Sequence, residues 1–76
     1  EESSEAQRAL LGLIANAEEA ALPEEKIMAQ LSSGFDPQEI RAALRYFLRR
    51  DVLIEREGGH AFRAPLLKTW VRQQTR

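Results

Sequence analysis

The sequence predicts a mainly α-helical domain with one small antiparallel β-hairpin, in which three helices precede the hairpin and a fourth helix follows it. Four observations lead to this fold class. Residues 36–39 carry the signals of a helix start, and residues 52–55 form a β-branched run of the kind found in strands. A Gly-Gly pair at 58–59 then supplies a tight turn, and Pro65 opens a further amphipathic segment.

The length and composition indicate a single domain with a binding role. A chain of 76 residues buries only roughly 60% of the surface that its unfolded form exposes, which leaves little apolar area for a deep catalytic cleft. We expect residues 1–4 to be a disordered leader and residues 5–76 to form one domain of a larger protein. The chain has no cysteine and no apolar run near the roughly 20 residues of a membrane span, so we expect a cytoplasmic location.

The first two predicted helices are short and amphipathic. Helix one should run from about Glu5 to Ala17. Its apolar surface consists of Leu10, Leu11, Leu13, Ile14 and Ala17. Pro23 fits the first turn of helix two, which should run to Leu31 before a Ser-Ser-Gly sequence ends it.

The third helix has the best-defined start. Asp36 can cap it, Pro37 fits its first position, and Glu39 can bond back to the backbone of the cap. Phe35 can pack against Ile40 across the cap as a hydrophobic staple. The apolar residues of this helix recur at helical spacing and should face the core. They are Ile40, Ala43, Leu44, Phe47 and Leu48.

A short hairpin should follow the third helix. The helix gives way near residues 50–51 to a strand over 52–55, the pair at 58–59 makes the turn, and residues 61–63 return as the partner strand. His60 is then a turn residue at the tip of the hairpin. A metal site there is disfavoured, because no cysteine or cluster of carboxylates surrounds this single histidine.

Pro65 opens the fourth predicted helix. Its apolar residues should form one buried stripe, while its basic residues stand four apart on the outside. The expected buried stripe consists of Leu66, Leu67, Trp70 and Val71. The expected outer stripe consists of Lys68, Arg72 and Arg76.

The tight turn between helices two and three, followed by a hairpin, is the order of a winged helix-turn-helix. Charge is unevenly distributed along this order. Residues 1–40 hold nine acidic and two basic residues, whereas the remaining residues hold nine basic and three acidic ones, for a net charge of −1. The basic half favours phosphate, but the acidic half weakens the long-range steering that a nucleic-acid-binding protein uses.

Residues 44–71, LRYFLRRDVLIEREGGHAFRAPLLKTWV, resemble the C-terminal winged helix of STAND and AAA-like P-loop ATPases of bacteria and archaea. The matching positions are Leu48, Arg49, Val52, Leu53, Phe62, Pro65, Leu66, Leu67 and Trp70. The resemblance implies a winged-helix module that docks on the ATPase core or on a partner, with DNA contact in some members. The sequence contains no GxxxxGK[ST] phosphate-binding loop, so any nucleotide would bind elsewhere in the parent protein.

The candidate contact surface is the outer face of helix three together with the hairpin. Three arginines stand four apart on a face of this helix that differs from its apolar stripe, and an aromatic side chain lies beside them. The predicted binding residues are Arg41, Arg45, Tyr46, Arg49, Arg56 and Arg63. We expect them to bind the ATPase module of the parent protein or an acidic surface of a protein partner.

Two other binding roles remain open at this point. The same arginines could contact the phosphates of duplex DNA, although Asp36, Glu39 and Glu57 would place carboxylates where phosphate approaches. The domain could also self-associate through Trp70 and the outer helices, and an exposed Trp70 would support that role. We expect no enzymatic activity, because the sequence shows neither an activated nucleophile nor a carboxylate pair in a pocket. We also expect no cofactor, metal, small-molecule substrate or membrane contact.

Overall fold

A computed structural model describes residues 5–74 of the chain. Residues 1–4, where a disordered leader is predicted, and Arg76 of the expected outer stripe lie outside the described residues. The described part contains four helices and two strands. They are α1 (Glu5–Asn16), α2 (Glu24–Leu31), α3 (Pro37–Arg49), β1 (Leu53–Arg56), β2 (Gly59–Phe62) and α4 (Pro65–Gln74). The predicted fold class, mainly α with a small antiparallel hairpin, is confirmed.

The start of α3 follows the predicted capping pattern. The Asp36 carboxylate accepts the backbone N–H of Gln38 at 2.9 Å, and the Glu39 carboxylate accepts the backbone N–H of Asp36 at 3.2 Å. Pro37 occupies the first turn, where its missing N–H costs no hydrogen bond. These contacts satisfy donors that a helix end otherwise leaves without partners, and they fix where α3 begins.

The end of α3 is equally well defined. Asp51 adopts a left-handed backbone with a φ of 62°, and its N–H donates to the carbonyl of Leu48 at 3.2 Å. The N–H of Val52 reaches back to the carbonyl of Phe47 at 3.0 Å. This pair of bonds is a Schellman motif, which turns the chain sharply out of the helix and into β1.

The core lies where α1 meets α3, α4 and the hairpin. The inward residues of α3 include four of the five that the sequence predicts, and Leu48 is half-buried. The apolar core residues are Ala6, Leu10, Ile14, Ala15, Leu22, Ile27, Ile40, Ala43, Leu44, Phe47, Leu53, Phe62 and Val71. None of the helices within residues 5–74 is long and apolar enough to span a membrane.

The hairpin turn differs from its prediction by one residue. Arg56 pairs with Gly59 across the strands, so the turn consists of Glu57 and Gly58 rather than of the two glycines. Both turn residues have positive φ, 51° and 80°. Two successive positive φ angles match the right-handed twist of the strands, and they shift the pairing register relative to a Gly-Gly turn.

The turn shift moves His60 from the tip of the hairpin into β2, where it pairs with Glu55 and is only 5% exposed. The prediction that His60 is a turn residue was therefore wrong. On its other side the backbone of His60 exchanges two hydrogen bonds with Leu22, at 2.8 and 2.9 Å. The segment before α2 thus lies along β2 as a single-residue bridge and ties the hairpin to the first half of the chain.

The buried stripe of α4 is narrower than predicted. Val71 is buried and Leu67 is half-buried, but Leu66 is 83% exposed and Trp70 is 58% exposed. The prediction of burial was therefore wrong for Leu66 and Trp70. The reason is geometric: each precedes an inward residue by one position, which rotates it about 100° around the helix, and no element within residues 5–74 covers that side.

Candidate functional site

The outward face of α3 presents two arginines that have no ion-pair partner within residues 5–74. Arg45 and Arg49 are both exposed and stand four residues apart. Gln38 and Ala42, also exposed, continue the same stripe toward the start of the helix. The small side chain of Ala42 lets a partner surface approach the helix closely between these longer polar side chains.

Two other predicted arginines have carboxylate neighbours in the chain. The Arg41 guanidinium lies 3.7 Å from the Glu24 carboxylate on α2, and the Arg63 guanidinium lies 3.5 Å from the Asp51 carboxylate. All four side chains are more than 45% exposed. Such exposed pairs contribute only about 0–1 kcal/mol, so an incoming partner can exchange them at little cost.

Tyr46 lies on the edge of the α3 face and is 39% exposed. Its ring meets the Phe47 ring edge-on, with centroids 5.3 Å apart and an interplanar angle of 81°. The Arg50 guanidinium carbon lies 4.5 Å from the Tyr46 ring centroid. Arg50 is absent from the predicted set, although its spacing of four from Tyr46 is a signal that could have identified it.

A groove runs between α3, the start of α2 and the hairpin. It consists of two adjoining depressions of about 440 and 140 Å³, and Glu24, Glu55 and His60 line both of them. The smaller depression is also lined by Arg41, Leu44, Arg45 and Leu48. The larger one is also lined by Arg56, Glu57, Gly58 and Gly59. The groove therefore carries charges of both signs over a small apolar floor.

The acidic residues and His60 of the groove were missed by the prediction of the site. The pairing of Glu55 with His60 across the hairpin depends on the Glu57-Gly58 turn, and recognising a turn with two positive φ angles would have revealed it. The Nδ1 atom of His60 is buried and has no hydrogen-bond partner in the part of the chain that the structure describes. Within residues 5–74, no three histidine or carboxylate side chains are grouped closely enough to hold a metal ion.

The structure brings some of the predicted site residues together and separates others. Arg41, Arg45 and Arg56 share the groove. Arg49 and Tyr46 lie on α3 without lining it, and Arg63 follows β2 at the base of the hairpin. The surface is thus a helix face with a mixed-charge groove along one side. Comparisons with models of known protein families, with curated proteins and with solved structures find no match to this chain.

Proposed function

We propose that this chain is a non-catalytic docking module that binds a protein partner through α3 and the hairpin. The observation that carries the proposal is the combination on one helix of Arg45 and Arg49, which have no ion-pair partner within residues 5–74, with the half-exposed ring of Tyr46. Arginine and tyrosine are enriched among the residues that dominate protein interfaces. The partner would offer an acidic surface to this face of α3.

The groove favours protein over nucleic acid as the partner. Glu24, Glu55 and Glu57 line it together with Arg41 and Arg56, so it carries charges of both signs. Carboxylates at these positions repel the continuous negative charge of a phosphate backbone. A protein surface can place opposite charges against both signs, and such complementarity sets the register of an interface.

Duplex DNA is the second candidate function. Gln38, Arg45 and Arg49 lie along one exposed stripe of a helix that follows a short turn, and the arginines are free to contact phosphate. This stripe favours DNA contact provided that α3 approaches the duplex with the acidic groove held away from the DNA phosphates.

The proposal includes a winged helix-turn-helix and a parent protein of the P-loop ATPase class. The order of the elements and the bridge between Leu22 and β2 support the first part. Only the resemblance of residues 44–71 supports the assignment of the parent protein to the P-loop ATPases. In such a parent protein, the docking surface would meet the ATPase module. A cytoplasmic location belongs to the same proposal and is supported by the lack of cysteine.

A titration of the isotope-labelled chain, followed by backbone amide shifts, tests the proposal. The probes are a short peptide rich in Asp, Glu and Leu and a random-sequence duplex DNA, each at about 20 and about 150 mM salt. We expect the peptide to shift the amides of Arg45, Tyr46 and Arg49 at both salt concentrations, and DNA to leave them unshifted at the higher one.

Two charge-reversal variants distinguish the loss of a contact on α3 from the change in net charge. Arg49→Glu should weaken peptide binding about tenfold or more, whereas Arg8→Glu, on the exposed side of α1, makes the same charge change away from the face and should leave it intact. Shifts with DNA alone, lost steeply as salt rises, would establish the second candidate function and contradict the first.

A further inference from the structure

Helix α4 has two apolar stripes but buries only one of them. Leu67 and Val71 face the core. Leu66 and Trp70, also four residues apart, project together into solvent. An aromatic side chain carries roughly 150–250 Å² of surface, so a 58% exposed tryptophan beside an 83% exposed leucine leaves an apolar patch on the order of 300 Å². The largest apolar patch on a typical monomer covers about 300–600 Å² and is often functional, which makes this patch a candidate contact site.

Within Pro65–Gln74, the patch lies on a face of α4 that carries no charged side chain. Thr69, Gln73 and Gln74, all exposed, fall around Leu66 and Trp70 on the helix surface. The charged residues of α4, Lys68 and Arg72, both lie about 160° around the helix from Trp70. Arg72 is held there by a hydrogen bond of 2.9 Å from its Nε to the carbonyl of Ala15.

A neutral face is unusual in a chain of which 30% of the residues are charged, and its lack of charge limits the kinds of surface that can bind to it. We propose that the uncharged face of α4 binds the same face of a second copy of this chain. Two copies can meet there without opposing like charges. The α3 face cannot pair with itself in this way, because Arg45 and Arg49, which have no ion-pair partner within residues 5–74, would confront their own copies.

Trp70 and Leu66 define the geometry of the contact. An antiparallel pair of α4 helices related by a two-fold axis can set Trp70 against Trp70. Leu66 of each copy then lies opposite Gln74 of the other. The apolar patch, on the order of 300 Å², is smaller than the roughly 800 Å² that each partner buries in a standard interface. The dimer is therefore weak, with a dissociation constant on the order of 100 µM.

Sedimentation equilibrium of the 76-residue chain from about 20 µM to about 1 mM tests this proposal, since that range brackets the expected dissociation constant. The weight-average mass should rise with concentration from 8.6 kDa toward twice that value. The emission of Trp70, the single tryptophan, should shift to the blue over the same range as its ring leaves water.

Three variants test whether dimerisation depends on this face of α4 rather than on another exposed part of the surface. Trp70→Ser should hold the mass at the monomer value, and Leu66→Ser should do the same with less risk to folding, because Leu66 is the more exposed of the two. Tyr46→Ser removes an exposed aromatic ring from α3 instead and should dimerise as the unsubstituted chain does. Circular dichroism checks that each variant is folded. A constant mass of 8.6 kDa up to about 1 mM, or dimerisation unchanged in Leu66→Ser, would overturn the proposal. This proposal does not depend on the proposed docking function.

Discussion

The guanidinium of Arg50 lies over the ring of Tyr46, 4.5 Å from its centroid, at the point where α3 ends. The same two residues are joined through the backbone, since the N–H of Arg50 donates to the carbonyl of Tyr46 at 3.2 Å. The ring of buried Phe47 packs against the Tyr46 ring in a T-shaped arrangement. The half-exposed tyrosine is therefore held in place before any partner arrives, which lowers the entropic cost of using it in an interface.

A double-mutant cycle on Tyr46 and Arg50 should show a favourable coupling. Tyr46→Leu removes the ring and Arg50→Gln removes the charge, and urea denaturation gives the free energy of unfolding of each single and double variant. We expect a coupling of about 0.5–1 kcal/mol, as for other exposed cation–π pairs. The same cycle with Arg49→Gln, a neighbouring exposed arginine, should give none, and equal couplings at the two positions would contradict the contact.

Tyr46→Ala should weaken binding of the acidic peptide probe about tenfold while leaving the chain folded, because it removes a pre-ordered aromatic contact from the proposed surface. Amide-shift titration measures the affinity, and the dispersion of the amide spectrum reports folding. Leu66→Ala, which truncates an exposed side chain on α4, is the matched control and should bind normally. An unchanged affinity in Tyr46→Ala would remove the tyrosine from the proposed site.

Removing the cap of α3 should destabilise the chain measurably. Asp36→Ala leaves the N–H of Gln38 without its acceptor and breaks one half of the capping box. The expected loss is about 1 kcal/mol in the free energy of unfolding, measured with urea. Asp36→Asn retains an acceptor oxygen in the same place and should lose much less. Similar losses in both variants would mean that charge, rather than capping, is what matters at this position.

The features that the sequence predicts correctly are those that local chemistry determines. Asp36, Pro37 and Glu39 act within one turn of helix, so their pattern alone identifies the start of α3. The apolar spacing of α3 likewise predicts its buried side, because α3 faces the core along one continuous stripe. Neither inference needs any knowledge of what lies across the core.

The features that the sequence does not predict depend on neighbours far along the chain. Leu66 and Trp70 are as apolar as the residues that α4 buries, and the positions of α1 and β2, which pack against α4, decide which stripe faces inward. The pairing of Arg41 with Glu24 joins two helices whose packing the sequence leaves open. The hairpin register depends on Glu57, which adopts a positive φ. A positive φ is uncommon for residues other than glycine, so residue propensities do not predict it at this position.

The ion pair between Glu19 and Lys26 should be visible as a change in the pKa of Glu19. The Lys26 ammonium donates a hydrogen bond of 2.7 Å to the Glu19 carboxylate, and this bond, the backbone of Glu19 and the lysine charge lower the pKa of Glu19. A folded-state pKa below the unfolded value means that the contribution to stability is present above the unfolded pKa and is lost as pH falls through the folded one.

Carboxyl-carbon NMR titration can follow that pKa directly. Lys26→Gln should raise the pKa of Glu19 toward its ordinary value, because it removes both the charge and the strongest hydrogen bond. Lys26→Arg keeps a cation in place and should leave the pKa of Glu19 low. A titration midpoint that is the same in all three proteins would show that the pair does not form in solution.

Gly59 should tolerate no side chain, because the backbone before α2 crosses directly over it. A Cβ on Gly59 would lie 2.9 Å from the carbonyl carbon of Leu22 and 3.1 Å from that of Ala21, and backbone atoms cannot move aside as a flexible side chain would. We expect Gly59→Ala to lower the free energy of unfolding by about 1–3 kcal/mol in urea denaturation. Gly34→Ala is the matched control: no atom lies within 4 Å of its added Cβ, so it should be neutral or stabilising by up to about 1 kcal/mol. Equal stability of the two variants would mean that the bridge between Leu22 and β2 is looser than its hydrogen bonds of 2.8 and 2.9 Å indicate.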